Sequence, residues 1–535
     1  MSRLVPRPAA TLILLRQGLE VLMLQRVQTA AFLGGAYVFP GGALDPEDHS
    51  AHRVLGLTEA EANERLRVSS GGLAYYVAAI RECFEEAGIL LASENDGKPL
   101  SASRAESLMH WRRKPFRNLL EAEDLYVPAG ELAYYGHWIT APGRSRRFDT
   151  RFFVAIAPGG QQGSHDAGET VHDAWIPPRE ALERCARGEI ELVHATQVSL
   201  KDLARFCDPR AALDYVRALP EVEENRACWA QGREGPKIFR RADPAYFEIH
   251  WSDPEETGET TYDIIPGEPK RLDRWVTRLT APNPGLMTGP GTNSYIVGEV
   301  ALVDPGPAID SHVEKLLQLK SLKFILCTHT HLDHSPAAAA LKAKTGAKVL
   351  GRPAPAGQDA TFRPDFVLEN GQRVQVDAMS GPVTLRAIHT PGHASNHLCY
   401  LLEETKMLFT GDHVMQGSTV VINPPDGNMQ AYLQSLERLL GEDIAIIAPG
   451  HGYLIGAPHK ELRRLIAHRL NRERKVLAAL ERLAHPSLEE MLPLVYDDVP
   501  ERVHRVAARS LTAHLEKLVA DGAVRLRKGA YTLVK

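Results

Sequence analysis

The segment T-H-T-H-L-D-H, residues 328–334, sets His329, His331, Asp333 and His334 close together. Side chains two apart in an extended segment point the same way, so His329 and His331 can grip one cation. Asp333 and His334, past the strand end, can turn toward a second. Imidazole nitrogens suit zinc, and a carboxylate suits a site that must also hold water. Three later segments add donors of the same kind: I-H-T-P-G-H-A-S-N-H brings His393, L-F-T-G-D-H brings Asp412 and I-I-A-P-G-H-G brings His451. Each stands where an apolar run meets a Gly-containing turn, the strand-end position that reactive side chains favour in layered α/β folds. With 22 histidines in 535 residues, H-x-H-x-D-H arises by chance with odds of roughly two in a thousand. His389, His397 and His413 are expected to pack or to support ligands instead. A single zinc already lowers the pKa of a bound water from about 15.7 to about 7, so a water shared by two zinc ions would give a hydroxide nucleophile that Asp333 can aim. The motif leaves thioester, lactam, lactone and phosphodiester all open as substrates.

A second set of donors is made of carboxylates alone. In A-I-R-E-C-F-E-E-A-G-I-L-L, residues 79–91, an expected helix puts Glu82, Glu85 and Glu86 at i, i+3 and i+4 on one face. Three like charges repel unless a cation sits among them, and hard oxygen donors call for Mg²⁺ or Mn²⁺. The alternative is a solvated acidic face.

The histidine and aspartate motifs resemble the ligand set of the metallo-β-lactamase superfamily, which implies an αββα sandwich. The resemblance implies one metal held by His329, His331 and His393 and a second held by Asp333, His334 and His451, with Asp412 joining both. The entry A-P-N-P-G-L-M-T-G-P-G-T-N-S-Y-I-V-G, residues 281–298, resembles the lactamase-beta-2-like subgroup, which includes single-strand endoribonucleases. Glyoxalase II, a thioesterase with the same motif, also ends in a helical domain. The carboxylate helix resembles the Nudix box: Gly42 and Arg81 to Ile89 match, Cys83 takes an aliphatic position, Asp48 stands where the box has its first Glu, and a segment from His49 to about Leu73 separates the halves. The segment 137–153 is similar to Nudix enzymes related to coenzyme A diphosphatases. That likeness implies an α/β/α sandwich, Glu85 and Glu86 as metal ligands, Glu82 as a further ligand or base, Arg81 as their organiser and Glu169 as a distant ligand or base. Arg146 and Arg147 are candidates for substrate phosphates, with a plain surface role the stronger expectation.

The length allows about three or four domains. The expected division is 1–215 Nudix-like with its insertion at 49–73, 216–270 a polar linker, 271–458 metallo-β-lactamase, and 459–535 a winged-helix-like tail of three helices and a hairpin. Residues 460–535 carry 16 Lys+Arg against 10 Asp+Glu in a chain of net charge −5. That concentration suits phosphate contact, although a helical cap with its arginines in solvent explains it equally well. Six scattered cysteines form no disulfide framework, and neither a signal peptide nor a membrane span is expected, which places the protein in the cytoplasm. The expected function is a metal-dependent hydrolase of mixed α/β class, cutting a phosphodiester such as single-stranded RNA at the zinc centre, with a nucleotide or coenzyme A-type substrate at the Nudix centre. Thioester hydrolysis is the alternative at the zinc centre, and a non-catalytic ligand-binding role is the alternative for the Nudix half.

Overall fold

The computed structural model describes residues 4–28, 34–50, 53–164, 170–378, 381–483, 485–527 and 529–534. Two compact units emerge, Met1–Cys228 and Trp229–Lys535.

In the first unit the N-terminal apolar runs form antiparallel strands β1 (Arg7–Arg16) and β2 (Glu20–Arg26). Strands β3 (Ala133–Ile139), β4 (Phe148–Ile156) and β5 (Thr170–Ile176) extend the sheet, β4 pairing with β1 in parallel. Leu12, Leu14, Leu22 and Leu24 enter one core, whereas Ile13, Leu15, Val21 and Met23 enter another on the opposite face. Burial on both faces is why these strands read as unbroken apolar runs. One face is covered by α1 (Glu59–Leu66) and α2 (Gly72–Ala87), and the other by α3 (Pro178–Ala186), α4 (His194–Leu203) and α5 (Pro209–Arg217). Helix α1 lies in the stretch that separates the two halves of the Glu-bearing motif, and it begins with a Thr58/Glu61 capping box. Helix α2 stops at Ala87 because Gly88 adopts φ +67°, so Ile89–Leu91, read as helical from sequence, lie beyond its end.

In the second unit, α6 (Tyr246–Ser252) precedes two large sheets. The first holds β6 (Pro269–Arg271), β7 (Val276–Thr280), β8 (Asn293–Val297), β9 (Ala301–Val303), β10 (Phe324–Leu326), β11 (Lys348–Gly351) and β12 (Phe366–Val367), ordered as in the chain. The second holds β13 (Arg373–Ala378), β14 (Gly381–His389), β15 (Leu398–Leu402), β16 (Met407–Gly411) and β17 (Ile446–Pro449). Val297, Val303 and Leu326 meet Leu385, Tyr400, Phe409 and Ala448 in a core between the sheets. Helices α7 (Asp310–Leu316) and α8 (Ala337–Thr345) cover one outer face. Helices α9 (Met429–Leu440) and α10 (Pro458–Arg482) cover the other, which completes an αββα sandwich.

Helix α10 continues into α11 (Leu488–Val495), α12 (His504–Ala520) and the hairpin β18 (Val524–Arg527) with β19 (Ala530–Leu533), around a core of Val476, Met491, Leu511 and Val524. The stretch 216–270, read as a polar linker, carries α6 and β6, and Glu248 within it is fully buried. Glu248 pairs there with Lys270 and Arg278, while many other charges of the stretch stay exposed, a difference that composition does not reveal. No helix among the described residues is long and apolar enough to cross a membrane.

Candidate metal centres

His329, His393, Asp412 and His451 follow the C-terminal ends of β10, β14, β16 and β17, and the short loop after His329 adds His331, Asp333 and His334. His331 Nδ1 lies 2.9 Å from His329 Nε2 and 3.0 Å from His393 Nε2. His334 Nε2 lies 3.4 Å from both Asp333 Oδ2 and Asp412 Oδ1, and His451 Nε2 lies 3.4 and 3.2 Å from the same two oxygens. The structure therefore sorts the seven residues into two groups, His329–His331–His393 and Asp333–His334–Asp412–His451, each with its donor atoms within 4.8 Å of one another. Asp412 faces both, its Oδ2 standing 3.8 Å from His393 Nε2. Two glycines make this approach possible. A Cβ on Gly450 would sit 2.8 Å from Asp412 Oδ1, and one on Gly392 (φ +141°) would sit 2.3 Å from the Tyr432 backbone of α9.

The nitrogens turned away from each group are held by acceptors. His334 Nδ1 donates to Asp304 Oδ2 at 2.9 Å, His393 Nδ1 to the Val421 carbonyl at 2.8 Å and His451 Nδ1 to the Gly291 carbonyl at 3.2 Å. Such partners fix the tautomer and present Nε2 inward. Asp304 also accepts from Thr328 N at 2.7 Å and Thr328 Oγ1 at 2.8 Å, and the Thr292 hydroxyl reaches Asp333 Oδ2 at 3.3 Å. The sequence reading missed Asp304, Thr292 and Thr328. His397 stacks on His329 with centroids 5.0 Å apart, His413 is buried beside Tyr432, and His389 bonds the Ser395 carbonyl.

Burial and neighbouring imidazoles hold His329 well below the ordinary histidine range, and burial together with His393 pushes His331 down to about 4. His334 and His451 go the other way, His451 to about 9: burial opposes their charged forms, but Asp333 and Asp412 outweigh it. Those two carboxylates are held well below their usual range, burial being overcome by His334 and His451. Buried His334 Nε2, His451 Nε2 and Asp412 Oδ1 have no hydrogen-bond partner among the described residues. Two imidazoles and a carboxylate so placed fit a divalent cation, which satisfies all three at once.

The carboxylate site of the first unit is arranged differently. Arg81 is buried, with Nε and Nη2 donating to the two oxygens of Asp48 at 2.9 Å each and Nη1 donating to Glu82 at 2.9 Å and Glu85 at 3.1 Å. Asp48 thus serves as the partner of Arg81. Glu86 accepts from Gly41 N at 2.9 Å. Among the described residues these glutamates do not draw together as the histidines do, yet their donor atoms are the kind a hard cation takes. Arg147, expected on an exposed loop, is buried, donating to the carbonyls of Thr140 and Leu4. Glu169 lies outside the described residues.

Burial, opposed by Arg81 and reinforced by Glu85, pushes Glu82 up to about 7. A raised carboxylate favours its protonated form in the fold, so ionising it costs stability as pH rises from about 4.5 toward 7. Glu82→Gln is therefore expected to stabilise the first unit at pH 8 by about 1–3 kcal/mol and to be near neutral at pH 4. Urea titrations at the two pH values check this, and a pH-independent effect would count against it.

Family models match this chain in three places: the metallo-beta-lactamase superfamily over residues 287–451, the NUDT19 Nudix domain over 56–203 and the beta-lactamase associated winged helix domain over 487–530. The chain is 30% identical over 279 residues to the beta-lactamase-like protein 2 homolog of Drosophila melanogaster, covering 49% of this chain and 93% of that protein. It is 33% identical over 244 residues to thioesterase pkgB of Emericella nidulans (44% and 67%). It is 30% identical over 281 residues to the atrochrysone carboxyl ACP thioesterase AgnL7 of Paecilomyces divaricatus (48% and 84%). The chain belongs to the metallo-β-lactamase superfamily. It carries a Nudix domain ahead of the αββα sandwich and a winged helix after it, and it is a metal-dependent hydrolase.

Proposed function

We propose that the second unit hydrolyses an acyl thioester with an apolar acyl group, using two zinc ions. His329, His331 and His393 would hold one, Asp333, His334 and His451 the other, and Asp412 both. The observation that carries this reading is an apolar rim. Leu332, between His331 and Asp333, is 70% exposed, and Leu286 and Met287 are 79% and 49% exposed. The last two occupy the tip of a turn closed by Gly285 and Gly289, and Asn283 ties the base of that turn to Thr292, whose hydroxyl reaches Asp333. Exposed apolar side chains gathered at a reactive centre are what an acyl chain covers. An RNA backbone calls for lysine or arginine, and among the described residues none bonds to the seven candidate ligands. Two of the relatives bear thioesterase names.

Divalent metal, when bound, supplies Lewis acidity and lowers the pKa of water. The protein supplies the rest. Asp333, steadied by Thr292, accepts a hydrogen bond from the attacking water and aims it at the thioester carbonyl. The C–S bond breaks and the thiol leaves with a proton. In the first unit Glu82, Glu85 and Glu86 would bind Mg²⁺ or Mn²⁺ and cleave a diphosphate of nucleotide or coenzyme A type, with Glu82 as ligand or base. Coenzyme A-type substrates would make the two reactions a chemically linked pair. A cytoplasmic location belongs to the same reading, supported by six cysteines that are all free.

The test offers long-chain acyl thioesters of coenzyme A and of acyl carrier protein, single-stranded RNA, and nucleoside diphosphate conjugates to the Zn²⁺-loaded chain. Thioester turnover is expected, reduced by about 10³-fold or more in Asp333→Ala and retained in Glu85→Ala. RNA cleavage lost in Asp333→Ala, with no thioester turnover, would replace this reading with a phosphodiesterase.

A further inference from the structure

The loop that orients His393 is held from the C-terminal helices. His393 Nδ1 donates to the carbonyl of Val421 at 2.8 Å. The flanking residues are anchored on either side: the Val420 carbonyl accepts from Arg469 Nη2 of α10, and Ile422 N donates to Ser510 Oγ of α12 at 3.3 Å. Val420 and Ile422 are buried in the same core as Leu462 and Leu465 of α10 and Ala513 of α12.

Arg469 is the unusual member. Its side chain is 2% exposed, its guanidinium stacks over the Tyr432 ring at 5.2 Å, its Nε has no hydrogen-bond partner, and no carboxylate pairs with it among the described residues. A buried, unpaired cation costs the fold stability, so it is kept for something other than folding alone. Tyr432 itself lies against Gly392, the residue before His393, and donates to the His413 carbonyl at 3.0 Å, next to Asp412. The guanidinium therefore grips both supports of the third histidine, the loop that bonds its ring and the helix that backs its main chain.

We propose that Arg469 and Ser510 are positioning residues for the metal centre, so that the C-terminal helices set the orientation of His393 and with it metal affinity. This assigns the tail a task inside the site, whichever substrate is cut, and it rests on the reading of His393 as a metal ligand.

The experiment uses the full chain. Zn²⁺ affinity is measured by competition with a chromophoric chelator, and the Co²⁺-substituted protein is followed by its visible d–d spectrum. Arg469→Met keeps the aliphatic stem and removes the cation and donors; it is expected to weaken one of the two metal sites by about 10- to 100-fold and to alter the Co²⁺ spectrum. Arg469→Lys, which keeps a donor, is expected to recover most of the loss, which a purely structural defect would not explain. A folded Arg469→Met with affinity within twofold of the parent and an unchanged spectrum would overturn the proposal. If Arg469→Met does not fold, Ser510→Ala decides: a weakening of threefold or more supports the proposal and unchanged affinity overturns it. His393→Ala is the control. Undiminished metal binding in that variant would bring down the ligand reading itself, separately from the role given to Arg469.

Discussion

Asp304→Ala is expected to destabilise the second unit by about 3–5 kcal/mol and to weaken divalent-metal binding by the candidate Asp333–His334–Asp412–His451 group. Asp304 is 2% exposed and accepts from Thr328 N, Thr328 Oγ1 and His334 Nδ1. Truncation leaves three buried donors without an acceptor, each costing about 1–3 kcal/mol. His334 also loses a negative neighbour that favours its charged form and the partner that fixes its tautomer. The backbone adds to the loss: Asp304 sits at φ +51°, a left-handed conformation that Asp and Asn tolerate and Ala does not. Asp304→Asn retains the backbone preference and part of the hydrogen bonding, so it is expected to lose less than Ala. Urea denaturation and metal stoichiometry measure both effects. An Ala variant with parental stability and full metal content would show that Thr328 and His334 are held by something else.

The second large effect is expected from Glu248→Ala. Glu248 is fully buried; its Oε2 accepts from Arg278 Nη1 at 2.5 Å and from Leu454 N at 3.1 Å, and its Oε1 accepts from Arg278 Nη2 at 3.0 Å and stands 2.8 Å from Lys270 Nζ. Removing it leaves a guanidinium and an ammonium buried without a counter-charge, a loss of about 3–5 kcal/mol. The effect carries to the metal centre because Arg278 also donates to the Gly452 carbonyl, next to His451. Burial alone would raise the carboxyl pKa of Glu248, but Arg278 and Lys270 outweigh it and hold it below the usual range. A lowered carboxylate pKa contributes stability that is present above the unfolded value, about 4.5, and is lost as pH falls through the folded one. The deficit of Glu248→Ala should therefore be largest at neutral pH and shrink below about pH 4.5. A deficit that stayed constant through that window would mean that packing, and not charge, sets it.

What could be read from sequence was what sits close together along the chain. His329, His331, Asp333 and His334 share one turn, and His393, Asp412 and His451 each end an apolar run, so type and spacing betray them. The strands β1 and β2 follow from unbroken apolar runs and the helices of the tail from an apolar pattern of period 3.6. Asp304, Thr292, Glu248 and Arg278 were invisible because each acts on a residue far along the chain: Asp304 on His334 30 positions away, Glu248 on Leu454 206 positions away. A lone buried carboxylate leaves no local pattern, and the polar composition around Glu248 reads as solvent-exposed linker. Arg147 shows the converse, since nothing local separates a buried arginine that ties down carbonyls from one in solvent. The limit of α2 was overrun because Ile89–Leu91 continue the apolar pattern, and only the left-handed turn at Gly88 stops it.

The bond between Glu248 and Leu454 has a consequence for the order in which the protein is made. Ribosomes deliver a chain from its N-terminus, and domains generally fold as they emerge. Residues 1–228 form their own compact unit and are complete while everything after them is still unsynthesised. The second unit has no such head start. Its earliest helix waits for a partner 206 residues later, and the loop bonded to His393 waits for Arg469 and Ser510. Closing such long spans is slow, and until it happens sheet edges and apolar faces stay open. The nascent second half is thus the aggregation-prone part of the molecule, and ribosomal stalling before Ser510 would leave a finished N-terminal unit attached to an unfinished metal-dependent hydrolase.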